Sequence, residues 1–281
     1  MIETLKDVVA KLAESGFESP RLEARILVAG ALQQDPDGLN PFEVFDPIAS
    51  KKIELLLNRR LKHEPLDKIF GKRAFYKHDF IVNRDVLSPR PETEILVEKA
   101  LMLLKNMPSA KILDLGVGSG CIIETLLFEY PESCGVGVDI SAAALRVAEQ
   151  NAHKLGVAGR LRFEKKNWFD RGFNLHEKFD LVVSNPPYIS SSDILRLESD
   201  VKDYDPLVAL DGGFDGLASY RRIAALSPKF LKDGGYILLE IGAGQAQDVV
   251  QIFSKYLHCV DVAPDLAQIE RCVIMQKLVA E

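Results

Sequence analysis

The chain has 281 residues, of which 47% are hydrophobic and 27% charged, and its formal net charge is −6. This composition is typical of a soluble globular protein with one large domain, or with a large and a small one. The net negative charge argues against a protein that coats nucleic acid electrostatically. No run approaches the roughly 18 apolar residues of a membrane span, and the charged N-terminal segment does not resemble a signal peptide. Four widely spaced cysteines favour reduced core thiols and a cytoplasmic location, and without a nearby histidine cluster they predict no metal site.

Residues 1–72 are predicted to form a helical N-terminal domain. Apolar side chains recur at helical spacing near residues 5–12, and the pairs Ser19-Pro20 and Asp46-Pro47 are typical starts of two further helices. The segment contains no catalytic constellation of its own. We interpret it as a substrate-recognition domain in preference to a purely stabilising one. Nine cationic residues between positions 51 and 77 favour a solvated helix face, with an acidic partner or an RNA as the alternatives.

Residues 73–90 are predicted to be a β-hairpin and connector. Residues 75–82 alternate loosely enough for a strand, and residues 83–85 suggest a turn before a second short strand. The following segment, residues 88–94, contains two prolines and Arg90, which helix capping alone does not require. We interpret it as a rigid connector that seats the hairpin against an active site.

Residues 91–281 alternate between predicted strands and helices, which indicates a mostly parallel sheet with the ligand at the carboxyl ends of its strands. A strand at residues 111–116 runs into the glycine-rich turn 116–120 and then a helix. Cys121 occupies the position at which the dinucleotide-binding fingerprint requires glycine, which disfavours a dehydrogenase. The next strand ends in Asp139, where an acidic side chain can bind ribose hydroxyls.

A second motif follows the apolar run 181–183. Pro186 and Pro187 end this strand and fix the backbone beyond it. The side-chain oxygen of Asn185 and the carbonyl of Pro186 can then accept from one planar NH2 group, while the ring of Tyr188 covers its flat face. An amide or arylamine nitrogen is a poor nucleophile because its lone pair is delocalised, so its alkylation requires such a clamp.

Together the glycine-rich turn, the acid ending the second strand and the later clamp predict a methyltransferase that uses S-adenosylmethionine. Asp114 and the turn would lie beside the methionine part and Asp139 at the ribose. Asn167 and Trp168 could contact the adenine, although Trp168 could equally fill the core. The predicted cofactor-binding residues are Asp114, Gly116, Val117, Gly118, Ser119, Gly120, Asp139, Trp168 and Asn185.

Four segments of the chain, residues 87–94, 114–120, 185–189 and 239–242, occur in the order expected of a known family. On these segments the chain resembles the HemK/PrmC family of protein-glutamine methyltransferases over nearly its whole length. This resemblance implies a class I (Rossmann-like) methyltransferase fold of seven strands and methylation of the glutamine side-chain amide in the Gly-Gly-Gln motif of class-1 peptide chain release factors, with S-adenosylhomocysteine as product. Ser88 and Asn167 depart from the family pattern. From the lack of a long apolar run and the net negative charge we expect no membrane and no direct nucleic-acid binding.

The resemblance assigns catalysis to Asn185, Pro186 and Tyr188, and binding of the substrate glutamine to these three residues with Pro187. Two alternatives remain at this stage. An adenine N6-methyltransferase acting on DNA or RNA would use the same clamp on another planar NH2 group. A cofactor-binding interaction protein would dock a partner without chemistry.

Overall fold

The computed structural model describes residues 2–279, so Met1, Ala280 and Glu281, at the ends of the predicted domains, lie outside the described residues. The chain divides into two compact units between Gly71 and Lys72. Among the described residues, every helix is too short or too polar to span a membrane. Cys121 and Cys272 are buried as expected, whereas Cys134 is exposed at the start of a strand, so the expectation that all four thiols lie in the core was wrong for that residue.

The first unit is helical. Pro20 and Pro47 stand at the first positions of their helices, and the Asp46 carboxylate accepts from the backbone N–H groups of Ile48 and Ala49. Ser19, by contrast, makes no side-chain cap. A short fourth helix had no sequence signal. The helices are α1 (Leu5–Glu14), α2 (Pro20–Leu32), α3 (Pro47–Arg60) and α4 (Leu66–Phe70), with a 3-10 turn at Pro36–Gly38.

The amphipathic faces of these helices enclose one apolar core, which contains Leu12, Leu27 and Ile53. Arg60 joins α3 to α2 through an ion pair of 2.6 Å with Glu23. Several of the cationic residues between positions 51 and 77 form such ion pairs within the chain, which reduces the positive charge available to a partner. The pairs are Arg59–Glu64, Arg60–Glu23 and, in the second unit, Lys77–Glu129.

The second unit opens with an antiparallel hairpin of β1 (Lys72–Phe75) and β2 (His78–Ile81). The hairpin was predicted and the turn at residues 83–85 is present, but this turn does not join the two strands, and no strand forms at residues 86–87. The chain reverses at Tyr76, which adopts a left-handed φ of 55° and donates its backbone N–H to Glu94 Oε1 at 2.8 Å. Asn83 instead forms a local turn by accepting from the backbone N–H of Asp85.

A seven-stranded sheet follows, in the order β5-β4-β3-β6-β7-β9-β8. The first five strands of this order are parallel, and β9 runs antiparallel to both of its neighbours. This sheet confirms the predicted Rossmann-like methyltransferase fold. The strands are β3 (Lys111–Leu115), β4 (Cys134–Asp139), β5 (Leu161–Lys165), β6 (Phe179–Ser184), β7 (Leu231–Glu240), β8 (His258–Pro264) and β9 (Glu270–Gln276).

Helices cover both faces of the sheet because successive strand side chains alternate between two apolar cores. Val182 packs in the core with α10 and α11, whereas Leu181 and Val183 pack in the core with α5, α6 and α7. The helices are α5 (Glu94–Leu104), α6 (Cys121–Glu129), α7 (Ala142–Leu155), α8 (Ser191–Ile194), α9 (Ser199–Lys202), α10 (Ala218–Phe230) and α11 (Ala246–Phe253). Short 3-10 turns lie at Pro91–Thr93, Ala158–Arg160 and Leu207–Ala209.

Asn151 on α7 joins the hairpin to the glycine-rich turn. Its Oδ1 accepts from the backbone N–H of Ile81 at 2.7 Å. Its Nδ2 donates to the carbonyls of Ile81, at 3.0 Å, and Ser119, at 2.9 Å. The side chain is almost fully buried, so water cannot replace these bonds.

We expect Asn151→Ala to destabilise the second unit. Each buried polar group left without a partner costs about 1–3 kcal/mol, so the free energy of unfolding should fall by roughly 3 kcal/mol in urea titrations. The matched control is Gln150→Ala, an exposed position on the same helix, with an expected change within about 0.5 kcal/mol. Equal effects of the two substitutions would contradict this role of Asn151.

Candidate active site

A cavity of about 590 Å³ opens at the carboxyl ends of β3, β4 and β6. Residues of the glycine-rich turn form one wall, and the connector 88–94 and the loop 206–211 form others. The lining includes these predicted site residues: Gly116, Val117, Gly118, Ser119, Asp139, Asn167, Trp168, Asn185 and Pro187. Asp114, Gly120, Pro186 and Tyr188 lie beside or behind the cavity without contributing to its lining.

The glycine-rich turn requires its glycines because Gly116, Gly118 and Gly120 all have positive φ angles, of 82°, 54° and 86°. The carbonyl of Val138 accepts from the N–H of Gly116 at 2.8 Å and from that of Val117 at 3.0 Å. These bonds hold the turn against the end of β4. Its backbone therefore lies open along one side of the cavity.

Trp168 lines the cavity beside Gly116 of the turn. A Cβ atom at Gly116 would lie 3.3 Å from Cη2 of this indole, so glycine permits the close approach of ring and backbone. The indole is buried and also belongs to the core beneath α10, and its Nε1 has no hydrogen-bond partner. The interpretation of Trp168 as core filling therefore applies, and the contact with an adenine stays a prediction.

Asp139 ends β4 with its carboxylate at the cavity. Oδ2 accepts from the N–H of Gly118 at 3.0 Å, and Oδ1 accepts from the N–H of Ser141 at 2.8 Å. Desolvation raises the pKa of this carboxyl group, although the backbone hydrogen bonds oppose the shift. Each oxygen keeps a further lone pair that can accept from a ligand hydroxyl.

Two further carboxyl groups are buried behind the turn. None of the side-chain oxygens of Asp114 and Glu124 makes a hydrogen bond of normal geometry. Burial raises the pKa of Asp114 to about 8, with a smaller opposing effect from the backbone N–H of Ile123. Burial and the neighbouring Asp114 also raise the pKa of Glu124 well above its ordinary value. Such carboxyl groups are held in their neutral form unless a cation is placed near them.

Asn185 follows β6 and lies at the cavity. Its Nδ2 donates to Thr93 Oγ1 at 3.3 Å, which leaves Oδ1 as the free acceptor of the amide. The Tyr188 ring packs against the core beneath α10, and its hydroxyl lies 3.5 Å from Glu240 Oε1. Gln245 Nε2 donates to the Tyr188 carbonyl at 3.1 Å, which fixes the backbone beyond the two prolines.

The wall that faces the clamp comes from the segment between β6 and α10. Leu207 and Val208 line the cavity there, and both are half exposed. Asp205 fastens this segment to the connector, because its carboxylate accepts from the N–H of Ser88 at 3.4 Å and from Arg90 Nη2 at 3.1 Å. These bonds supply the role for Arg90 that capping could not explain.

Sequence reasoning missed several residues at the cavity. Ile140, Phe169 and Leu207 line it, and Thr93 orients Asn185. The sequence signal that could have identified Ile140 was its position, as an apolar residue directly after the strand-ending Asp139; in the structure it is exposed. Thr93 gave no comparable signal, because it is 92 residues from Asn185 in the sequence.

The cavity fits S-adenosylmethionine on three observations. The open glycine backbone admits close approach of a ligand, the Asp139 carboxylate has free acceptors for ribose hydroxyls, and the Trp168 ring offers a flat apolar surface for an adenine. Buried Asp114 and Glu124 add negative potential near the turn when a cation approaches. Among the described residues, no group of His, Cys, Asp or Glu side chains is arranged to hold a metal ion.

We expect Asp114→Asn to remove a pH-dependent destabilisation. The folded chain holds the Asp114 proton up to pH of about 8, whereas the unfolded chain loses it near its ordinary value of 3.8. The contribution of Asp114 to the free energy of unfolding therefore falls as pH rises through this window. Between pH 5 and pH 8 the variant should gain about 1 kcal/mol or more over the wild type in urea titrations.

The control for this measurement is Asp248→Asn, an exposed carboxylate of the same unit, which should change the pH dependence little. The same pH dependence of unfolding in Asp114→Asn and in the wild type would contradict this prediction, because the Asp114 carboxyl group of the folded wild type would then have to be ionised.

Comparison with known proteins identifies the family. The PrmC N-terminal domain model matches residues 3–71, and the Methyltransferase small domain model matches residues 93–197. A release factor glutamine methyltransferase of Rhodospirillum rubrum is 40% identical over 96% of this chain and 83% of its own length. That of Cereibacter sphaeroides is 42% identical over 96% of both. A Pyrococcus furiosus methyltransferase structure is 13% identical, covers 82% of this chain and 98% of its own, and has a TM-score of 0.47. The resemblance found in the sequence is thus confirmed, and the chain belongs to the family of release factor glutamine methyltransferases, enzymes that use S-adenosylmethionine.

Proposed function

We propose that this protein transfers a methyl group from S-adenosylmethionine to the side-chain amide nitrogen of the glutamine in the Gly-Gly-Gln motif of class-1 peptide chain release factors. The observation that carries this proposal is the position of Asn185. It follows β6 directly beside the glycine-rich turn, in the same cavity, and its amide presents Oδ1 as a free acceptor. S-adenosylhomocysteine is the second product.

The cofactor end of the cavity is formed by the glycine-rich turn, Asp139 and Trp168. Asp139 would accept from the ribose hydroxyls, and the indole would pack on the adenine. Asp114 would lie behind the turn, beside the methionine part of the cofactor, and would be ionised there only when the positively charged sulfur is bound. When bound, S-adenosylmethionine supplies an electrophilic methyl group on a positively charged sulfur.

The substrate end is formed by Asn185 to Tyr188. Oδ1 of Asn185 and the carbonyl of Pro186 would accept the two N–H bonds of the glutamine side chain. Pro187 would rigidify the backbone there, and the Tyr188 ring would pack on the amide plane. Two acceptors on one NH2 group fix the direction of its lone pair, which is the condition for in-line attack on the methyl carbon. We assign no general base, because the alkylated nitrogen can release its proton to water.

The first unit is proposed to recognise the release factor. The chain is thereby divided into residues 1–72 for partner recognition, 73–90 for the connector and 91–281 for methyl transfer. The first unit is a separately packed helical body with its own core. Phe42, Val44 and Ile48 are exposed apolar side chains on its described surface, which suits a protein partner. A release factor partner and free thiols also agree with a cytoplasmic location.

The proposal is tested by incubating the protein with methyl-labelled S-adenosylmethionine and purified release factors, followed by peptide mapping of the labelled residue. Label on the Gly-Gly-Gln glutamine is expected, and a release factor with asparagine at that position should remain unlabelled. DNA and RNA serve as parallel acceptors. Label on adenine with none on release factors would favour the adenine N6-methyltransferase instead, and no label on any amide or amine would favour a binding protein.

We expect Asn185→Ala to separate chemistry from cofactor binding. Loss of one oriented hydrogen-bonding group in an active site lowers kcat by about 10²-fold, while the Kd for the cofactor should change less than about threefold. Asp139→Ala is the matched variant at the other end of the cavity and should raise that Kd at least about tenfold. Single-turnover kinetics and calorimetric titration measure the two quantities. Equal loss of turnover and cofactor affinity in Asn185→Ala would contradict the assigned role.

A further inference from the structure

Glu240 ends β7 next to the clamp, because β7 pairs with β6 in a register that places Leu239 opposite Ser184. The side chain of Glu240 is 2% exposed. Its Oε1 lies 3.5 Å from the hydroxyl of Tyr188, and its Oε2 has no hydrogen-bond partner. A buried and incompletely paired carboxylate destabilises a folded protein, so its presence calls for a role other than stability.

Two more side chains face this carboxylate. Hydrogen bonding by Thr93 and Asn185 lowers the pKa of Glu240, and Asn185 Nδ2 donates to Thr93 Oγ1 at 3.3 Å, so the three side chains form one cluster. An asparagine amide fits its site in two orientations that differ by a half-turn. An ionised carboxylate only accepts hydrogen bonds, so it favours the orientation with Nδ2 towards Glu240 and Oδ1 towards the cavity.

We propose that Glu240 is a positioning residue for methyl transfer. Its carboxylate holds the Asn185 amide with Oδ1 directed at the substrate NH2 group and anchors the Tyr188 hydroxyl, so that the ring stays beside the clamp. The inference rests on the proposed function and deepens it, because it names the residue that sets the direction of the clamp. Glu240 acts through Asn185 and Tyr188 and touches neither the substrate nor the cofactor.

The surroundings of Glu240 make this role dependent on pH. Burial raises its pKa to about 7, Thr93, Arg271 and Asn185 oppose the shift, and Glu92 adds to it. The other titratable groups near it are Tyr188, Tyr220, Cys121 and Cys272. Above pH of about 7 the carboxylate is ionised and the amide is held. Below it the protonated acid carries a donor of its own, which competes with Nδ2 and permits the reversed amide.

The test is a double-mutant cycle of Glu240→Gln and Asn185→Ala, with the acceptor that the wild type methylates. A glutamine at position 240 keeps the shape of the side chain but both donates and accepts, so it no longer selects one amide orientation. We expect kcat to fall at least about tenfold with the cofactor Kd within about twofold of the wild type. In the Asn185→Ala background the same change should cost several-fold less, since no amide remains to be oriented and only the contact with Tyr188 is left to lose.

The pH profile provides a second measurement. The wild-type kcat should fall below pH 7, and this acidic limb should be absent in Glu240→Gln. Glu92→Gln is the matched control, because Glu92 is an exposed carboxylate that affects Glu240 only through space, and it should retain the limb. Equal costs of Glu240→Gln in both backgrounds, or an unchanged acidic limb, would overturn the proposal and reduce Glu240 to a structural residue.

Thr93→Val covers the case in which Glu240→Gln fails to fold, as judged by circular dichroism. It removes the other group that orients the Asn185 amide and should lower kcat in the wild-type background but not in Asn185→Ala; equal costs would again overturn the proposal. Failure of the proposed function is recognised separately, because the wild type would then leave release factors unlabelled. In that case the double-mutant cycle is measured with the acceptor that the wild type does label.

Discussion

The parallel pairing of β3 with β6 is the constraint on which the active site depends. Leu113 lies opposite Val182, and the Ser184 hydroxyl donates to the carbonyl of Leu115 at 2.6 Å, so the two strands end side by side. One strand continues into the glycine-rich turn and the other into Asn185, at a separation set by the spacing of about 4.8 Å between neighbouring strands. A methyl donor on the turn and an amide held by Asn185 would thereby lie in adjacent positions.

The buried carboxyl groups around the carboxyl ends of these strands lower the stability of the folded chain, so they are better explained by function. Asp114, Glu124 and Glu240 are almost fully buried, and burial raises the pKa of each. Apolar side chains of similar size would make the folded chain more stable. Asp114 and Glu124 would instead ionise behind the turn when it holds a positively charged cofactor, and the ionised Glu240 would be an acceptor-only partner for the clamp. The pH dependence of stability and of turnover follows from the same desolvation.

Local patterns made most of the fold predictable from the sequence. The glycine-rich turn, the strand-ending Asp139 and the double proline each act within a few residues, and the alternation of apolar segments gave the layers of the sheet. The hairpin turn was misplaced because the left-handed conformation of Tyr76 is imposed by Glu94, 18 residues away. The bonds of Thr93 to Asn185 and of Arg90 to Asp205 span 92 and 115 residues, and a single sequence carries no signal for such pairs. Roles that depend on local geometry were therefore visible, and roles that depend on orienting partners were not.

The connector 88–94 unites these long-range contacts. Its Arg90 fastens the wall that carries Leu207 and Val208, and its Thr93 sets the amide of Asn185. At its ends, the carbonyl of Pro89 accepts from Arg73 Nε at 3.3 Å and Glu94 holds the hairpin turn. Ordering a flexible segment into these contacts would cost conformational entropy. Pro89 and Pro91 reduce this cost because they fix φ in both the folded and the unfolded chain. The connector contributes no catalytic group, yet its two prolines make it as recognisable in the sequence as the clamp that it supports, because its role requires a rigid backbone.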